Sequence, residues 1–171
     1  MLTRPFLIYV GLLTVALVGS FLATLWLTTP KVPEPAGAAV ERLLASKIAS
    51  YPELNHAASA AGFHTAESMR GNIDSLRRAN EREVVIDGWL ADIEGDATPI
   101  NLFVFVDGTL AGKGQTKGER ADLTRAFGLA FGAEKNVVFA LSFPCAVGAQ
   151  PVVAGVGSTR HYVPMPVSKC P

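Results

Sequence analysis

Two cysteines are the most reactive side chains in this 171-residue sequence, Cys145 in F-P-C-A-V-G and Cys170 near the C-terminus. A cysteine nucleophile needs a neighbouring base or a helix N-terminus to lower its pKa. The sequence around Cys145 supplies neither, and the nearest imidazole downstream is His161. The alternative chemistry is a Cys145–Cys170 disulfide. It would close a loop of about 26 residues, contribute roughly 3–4 kcal/mol in the chain-entropy picture and pin the tail to the apolar strand 136–143. Disulfides persist in oxidising compartments, so the bridge is expected if this part of the chain is exported.

Three other patterns invite chemistry. Gly112, Gly114 and Gly118 in GKGQTKG suggest a phosphate loop, but Glu119 and Arg120 stand where a Walker motif needs Lys and Ser or Thr. Asp92, Glu94 and Asp96 alternate as in a calcium loop, yet the bidentate twelfth position falls on Phe103. His56, His64 and His161 lack ligand spacing. No metal, no cofactor and no catalytic residue is therefore expected, and the chain reads as a non-enzyme. Arg160, His161 and Tyr162 are the nearest thing to an aromatic platform with polar neighbours, the minimum for a glycan contact. Fifteen basic and fifteen acidic residues cancel without a basic run, so nucleic acid is not an expected partner.

The elements that carry these residues begin with an uninterrupted apolar run at 6–27, free of charge and proline. As a helix rising about 1.5 Å per residue it spans roughly 33 Å, enough for a bilayer core. A cleaved signal peptide is the alternative, but its apolar region is shorter and sits close to a small-residue cleavage site. The nearest A-x-A pattern, Ala36–Ala38, lies beyond Pro30, Pro33 and Pro35. Arg4 before the run places residues 1–5 in the cytoplasm by the positive-inside bias, and Tyr9 and Trp26 suit the two interfaces. Within the run, Gly19 and Ala23 make a small-xxx-small pair that lets a second helix approach closely.

Residues 28–37, TTPKVPEPAG, read as a stiff proline-rich linker. Residues 38–70 are a helical segment. Val40, Leu43, Leu44, Ile48 and Tyr51 form one apolar stripe over 38–50, and 53–61 is a second short helix closed by Gly62. From Gly71 the period changes to short strands at 83–90, 100–106, 109–115, 136–143, 151–156 and 160–164, with Asp107-Gly108 as a two-residue hairpin signal. Residues 120–131 have a helical period. The expected fold is mainly β: a single N-terminal transmembrane helix, a short helical segment, then an immunoglobulin-like antiparallel β-sandwich over 71–171. Ile100, Leu102, Val104 and Val106 form one apolar face of a strand, but Phe103 and Phe105 stand on the other, where a sandwich should show polar residues. Either the chain's own helix at 38–50 covers these rings, or a partner protein does.

The ordered motifs G-x-I-D (Gly71, Ile73, Asp74), G-W-x-x-D (Gly88, Trp89, Asp92), V-x-V-D-G (Val104, Val106, Asp107, Gly108) and R-x-D-L (Arg120, Asp122, Leu123) resemble a recurring bacterial β-sandwich module. That module is appended to glycosyltransferases, sulfotransferases and other surface-polysaccharide enzymes as an ancillary unit, and the likeness runs over 71–163. The same residues have uses in folding alone. Gly88 permits close packing, the Trp89 indole fills the space between sheets, Asp107-Gly108 supplies a turn, and Asp122 caps a helix or pairs with Arg120 or Arg125.

Together these features predict a single-pass protein of a bacterial inner membrane with its C-terminal domain in the periplasm. It is expected to be a non-catalytic accessory or assembly subunit of an envelope or inner-membrane complex, contacting a membrane-protein partner through Gly19, Ala23, Phe103 and Phe105. The alternative is a cell-surface glycan-binding module linked to polysaccharide metabolism, using Arg160, His161 and Tyr162.

Overall fold

The computed structural model describes residues 36–92, 99–127 and 136–171, within the second of the chain's two units, Pro35–Pro171. The apolar run 6–27, with Gly19 and Ala23, and the linker up to residue 35 lie outside the described residues. Among those described, no helix is long and apolar enough to cross a membrane.

Helix α1 spans Ala36–Ala45 and α2 spans Tyr51–Ala61. The sequence predicts one helix through residue 50, but α1 stops five residues earlier. Ser46 folds its hydroxyl back onto the Arg42 carbonyl, and the Ile48 amide leaves the helix to donate to Gly108 O at 3.2 Å. The stripe is nevertheless used, with Leu43 and Ile48 fully buried and Val40, Leu44 and Tyr51 packed beside them. Ser50 caps α2 by accepting from the Glu53 amide, and Glu53 in turn accepts from Ala49 N, so two otherwise unpaired donors are satisfied. Gly62 ends α2 in the left-handed conformation, as its type predicts.

The remaining elements are β1 (His64–Thr65), β2 (Met69–Arg78), β3 (Glu83–Asp92), β4 (Asn101–Val106), β5 (Thr109–Gln115), α3 (Ala121–Phe127), β6 (Val138–Pro144), β7 (Val152–Val156) and β8 (His161–Met165). They form a five-stranded sheet ordered β1-β8-β7-β4-β5 and a three-stranded sheet ordered β2-β3-β6. All pairings are antiparallel except the two-residue β1–β8 pairing, which is parallel. The described residues are thus mainly β, in two sheets. Asp107 and Gly108 both take positive φ (51° and 81°), the two-residue hairpin geometry in which strand twist continues through the turn. The expected helical segment 38–70 is corrected at its end: α2 stops at Ala61, and β1 and the start of β2 occupy 64–65 and 69–70, while β2 as a whole is a strand absent from the expected set.

Three apolar clusters hold these layers. Between the sheets lie Ile86 and Leu90 of β3, Leu102, Val104 and Val106 of β4, Phe139 and Phe143 of β6, and both cysteines. On the other face of the five-stranded sheet, α1 and α2 pack Leu43, Leu54 and Ala58 over Phe103, Phe105, Val152 and Ala154. A small third cluster joins Leu123 of α3 to Ala91 and Val137, with Trp89 beside them. The expected indole between the sheets is therefore corrected. Val84, Ile86 and Leu90 of β3 are buried in the cluster between the sheets, so strand alternation turns Trp89, with Ala91, to the opposite, outer face. Gly88 does serve close packing, since a Cβ there would lie 2.1 Å from Asn72 O and 2.9 Å from Phe139 Cζ. Helix α3 falls within the expected 120–131; residues 128–135 lie outside those described.

Candidate interaction surfaces

Cys145 and Cys170 form a disulfide with their Cα atoms 6.3 Å apart. Backbone bonds flank it, Cys170 N to Ala149 O and Gly148 N to Cys170 O, each 2.9 Å. Arg78 Nε on β2 donates to Pro171 O at 3.0 Å and holds the tail further. Both half-cystines are buried in the inter-sheet core. The expected bridge is present, and it takes up the sulfur that a nucleophile would need.

Phe103 and Phe105 are 5% and 0% exposed. The chain's own helices cover both rings, so neither forms the partner contact expected as one alternative. The glycan platform is corrected as well. Tyr162 is 5% exposed, packed in the helix-side cluster with its hydroxyl donating to Asn55 Oδ1 at 3.2 Å. Burial raises its pKa. Alternation along β8 points the ring under α2, where no sugar can stack on it. Arg160 occupies the turn between β7 and β8 at positive φ, its carbonyl accepting from His64 N.

His161 instead joins a polar cluster that the sequence does not announce. Its Nδ1 lies 3.0 Å from Thr159 Oγ1 and 3.4 Å from Asp92 Oδ2, and Thr159 Oγ1 donates to the same oxygen at 3.2 Å. Burial pushes the Asp92 carboxyl up, but the nearby Ser68 hydroxyl, the hydrogen-bonded Thr159 hydroxyl and the His161 ring outweigh it and hold the group below the usual carboxylate range. Neither Asp92 Oδ1 nor Ser68 Oγ reaches a partner at hydrogen-bond geometry. The cluster ties the end of β3 in one sheet to the β7–β8 turn in the other. Of the acidic triplet Asp92, Glu94 and Asp96, only Asp92 lies among the described residues.

A second polar assembly joins two motifs distant in sequence. Arg120 forms ion pairs with Asp74 on β2 and with Asp122 in the first turn of α3, the latter at 2.6 Å. Hydrogen bonding to Arg120 holds the Asp122 carboxyl below its ordinary value, and the same partners raise the arginine. The pairing expected of Asp122 with Arg120 is thus formed, and Asp74 is added to it.

The glycines of GKGQTKG belong to a strand edge. A Cβ at Gly112 would touch Phe143 Cβ at 3.0 Å, and one at Gly114 would meet Leu141 Cδ1 at 3.3 Å. They let β5 lie against β6 across the sandwich corner, where Lys117 N donates to Val138 O and Val137 N to Gly118 O.

The helical cover ends at β4, because no β5 side chain joins the helix-side cluster. Leu110, opposite Phe105 in the register, is consequently 39% exposed, and Val147 in the β6–β7 connection is 77% exposed. They are the two exposed large hydrophobic residues among those described. Leu110 lines a groove of about 520 Å³ together with Ala111, Arg82, Pro144 and Ala146 among others. Strand period alone would not single out Leu110. The bulge between Val104 and Phe105 in the β4–β5 register and the limit of the helical cover decide its exposure.

Comparison with protein-family models, with curated proteins and with solved structures finds no match to this chain.

Proposed function

We propose that this protein is a membrane-anchored, non-catalytic accessory or assembly subunit of a bacterial envelope or inner-membrane complex, working by protein contact. The observation that carries this reading is Leu110, exposed on the wall of a partly apolar groove, with Val147 exposed one residue along the chain from Ala146 of the same wall. Exposed apolar side chains on an otherwise well-covered domain are a mark of a docking surface. The apolar run 6–27 supports a tether, Arg4 before it supports a periplasmic domain, and Gly19 with Ala23 supports a helix partner within the membrane. The two facing sheets are compatible with an immunoglobulin-like relation, and the ordered motifs with the ancillary bacterial module.

The test uses the full chain extracted in detergent. Gly19→Leu and, separately, Leu110→Ser with Val147→Ser should each lose a stoichiometric native membrane partner while the domain stays folded. If both variants keep every native association, the contact reading fails. A C-terminal alkaline phosphatase fusion should be active; an inactive fusion alongside a working cytoplasmic reporter would reverse the topology.

A further inference from the structure

The strip of β5 beyond the helical cover carries a second groove, of about 620 Å³, on the side away from the hairpin tip. Its volume lies within the range of small-ligand clefts. Lys113 and Lys117 stand on its rim. Both are exposed, and among the described residues no carboxylate pairs with either ammonium. Lys113 lies directly opposite Phe103 and Gln115 opposite Asn101, so their side chains share one face of the sheet, with Phe103 buried under the helices and Lys113 and Gln115 exposed on the neighbouring strand.

The polar groups of this groove are already oriented. Gln115 Nε2 donates to Asn101 Oδ1 at 2.9 Å. That bond leaves Asn101 Nδ2 and the second Gln115 N–H as donors, and Gln115 Oε1 as an acceptor. Donors and acceptors side by side match a ligand hydroxyl, which both gives and receives a hydrogen bond. Gly114, with no side chain, and Leu141 add a shallow apolar wall. Two cations, a fixed amide pair and an apolar wall are three different demands on one ligand.

We propose that this groove binds a carboxylate-bearing saccharide, a uronic-acid unit of an anionic polysaccharide. The sugar carboxylate meets Lys113 and Lys117, its ring hydroxyls meet the Asn101–Gln115 amides, and its C–H face lies along Leu141. An acidic peptide would satisfy the lysines and leave the amide pair and wall unused, so it is the poorer fit. This site goes beyond the contact function proposed above and uses none of residues 160–162.

The experiment titrates the detergent-solubilised full chain with tetragalacturonate, maltotetraose and tetraglutamate at moderate salt, by calorimetry. Tetragalacturonate should bind saturably at one site, and the other two at least tenfold more weakly. The double variant Lys113→Gln, Lys117→Gln should weaken tetragalacturonate at least tenfold with an unchanged melting temperature, and Gln115→Ala should weaken it severalfold. Equal binding of tetraglutamate, wild-type binding by the double lysine variant, or no saturable binding of tetragalacturonate would each overturn the proposal. Leu110→Ser with Val147→Ser should leave this binding intact, so failure of the saccharide site and failure of the protein-contact site are read separately.

Discussion

The two sheets of this protein bury their strands in different ways. In the five-stranded sheet, β7 is buried at every position and β4 at all but Asn101, because the opposing sheet covers one face and two helices cover the other. In the three-stranded sheet, β6 alternates between buried and open positions, and only its inner face is fully used. The difference teaches how to read an apolar outward face. Phe103 and Phe105 are the signature of a middle layer. Leu110, one strand further out, stands past the edge of the cover.

The sharpest way to break this comparison is to remove one ring from each kind of face. Phe105→Ala in the middle layer should cost about 3–5 kcal/mol in denaturant unfolding, through lost burial and the cavity left behind. Trp89→Ala on the outer face should cost at least about 1 kcal/mol less, since its ring is only half-buried. Equal losses would mean that the outer face is as tightly packed as the middle layer.

Next in size is the disulfide, which ties the tail across the inter-sheet core. Replacing Cys145 and Cys170 together by Ser should destabilise the domain by about 2–4 kcal/mol, given the 25-residue separation. Alkylation of the wild-type chain without reductant should label no thiol, as intact mass will show.

The Asp92 cluster spans the two sheets at their polar end. Asp92→Asn should cost about 1–3 kcal/mol near neutral pH, because a buried acceptor set is broken. The native pKa of Asp92 is lowered, so its contribution is fully present above the unfolded value of about 3.9 and is lost as pH falls through the lower folded value. The stability gap between wild type and Asp92→Asn, measured by urea titration, should therefore narrow as the pH is taken down through that window. A gap independent of pH would show that packing alone is at work.

The smallest effect is expected beyond the cover. Leu110→Ser should change unfolding free energy by no more than about 0.5 kcal/mol, as exposed substitutions do, while weakening partner retention. A large stability loss would place Leu110 in the core of the fold.

Much of the fold was legible because the signals are local. The alternation of Ile100, Leu102, Val104 and Val106 foretold the inner face of β4, Asp107-Gly108 foretold the hairpin, and Gly62 foretold the end of α2. Each depends on a few consecutive residues and on backbone preferences that do not change with context. The candidate surfaces were far less legible. His161 meets Asp92 across 69 positions, and Arg120 meets Asp74 across 46; no spacing rule connects such partners. Tyr162 reads as an exposed aromatic among polar neighbours until α2 is laid over β8. The sequence by itself determined the strands from residue 83 onward, the turn at residues 107–108 and the pairing choice open to two cysteines. Only the tertiary structure decided which apolar face lies under a helix and which lies past its edge. Cover is a relation between elements distant in the chain, and strand alternation marks two faces without saying what will pack on either.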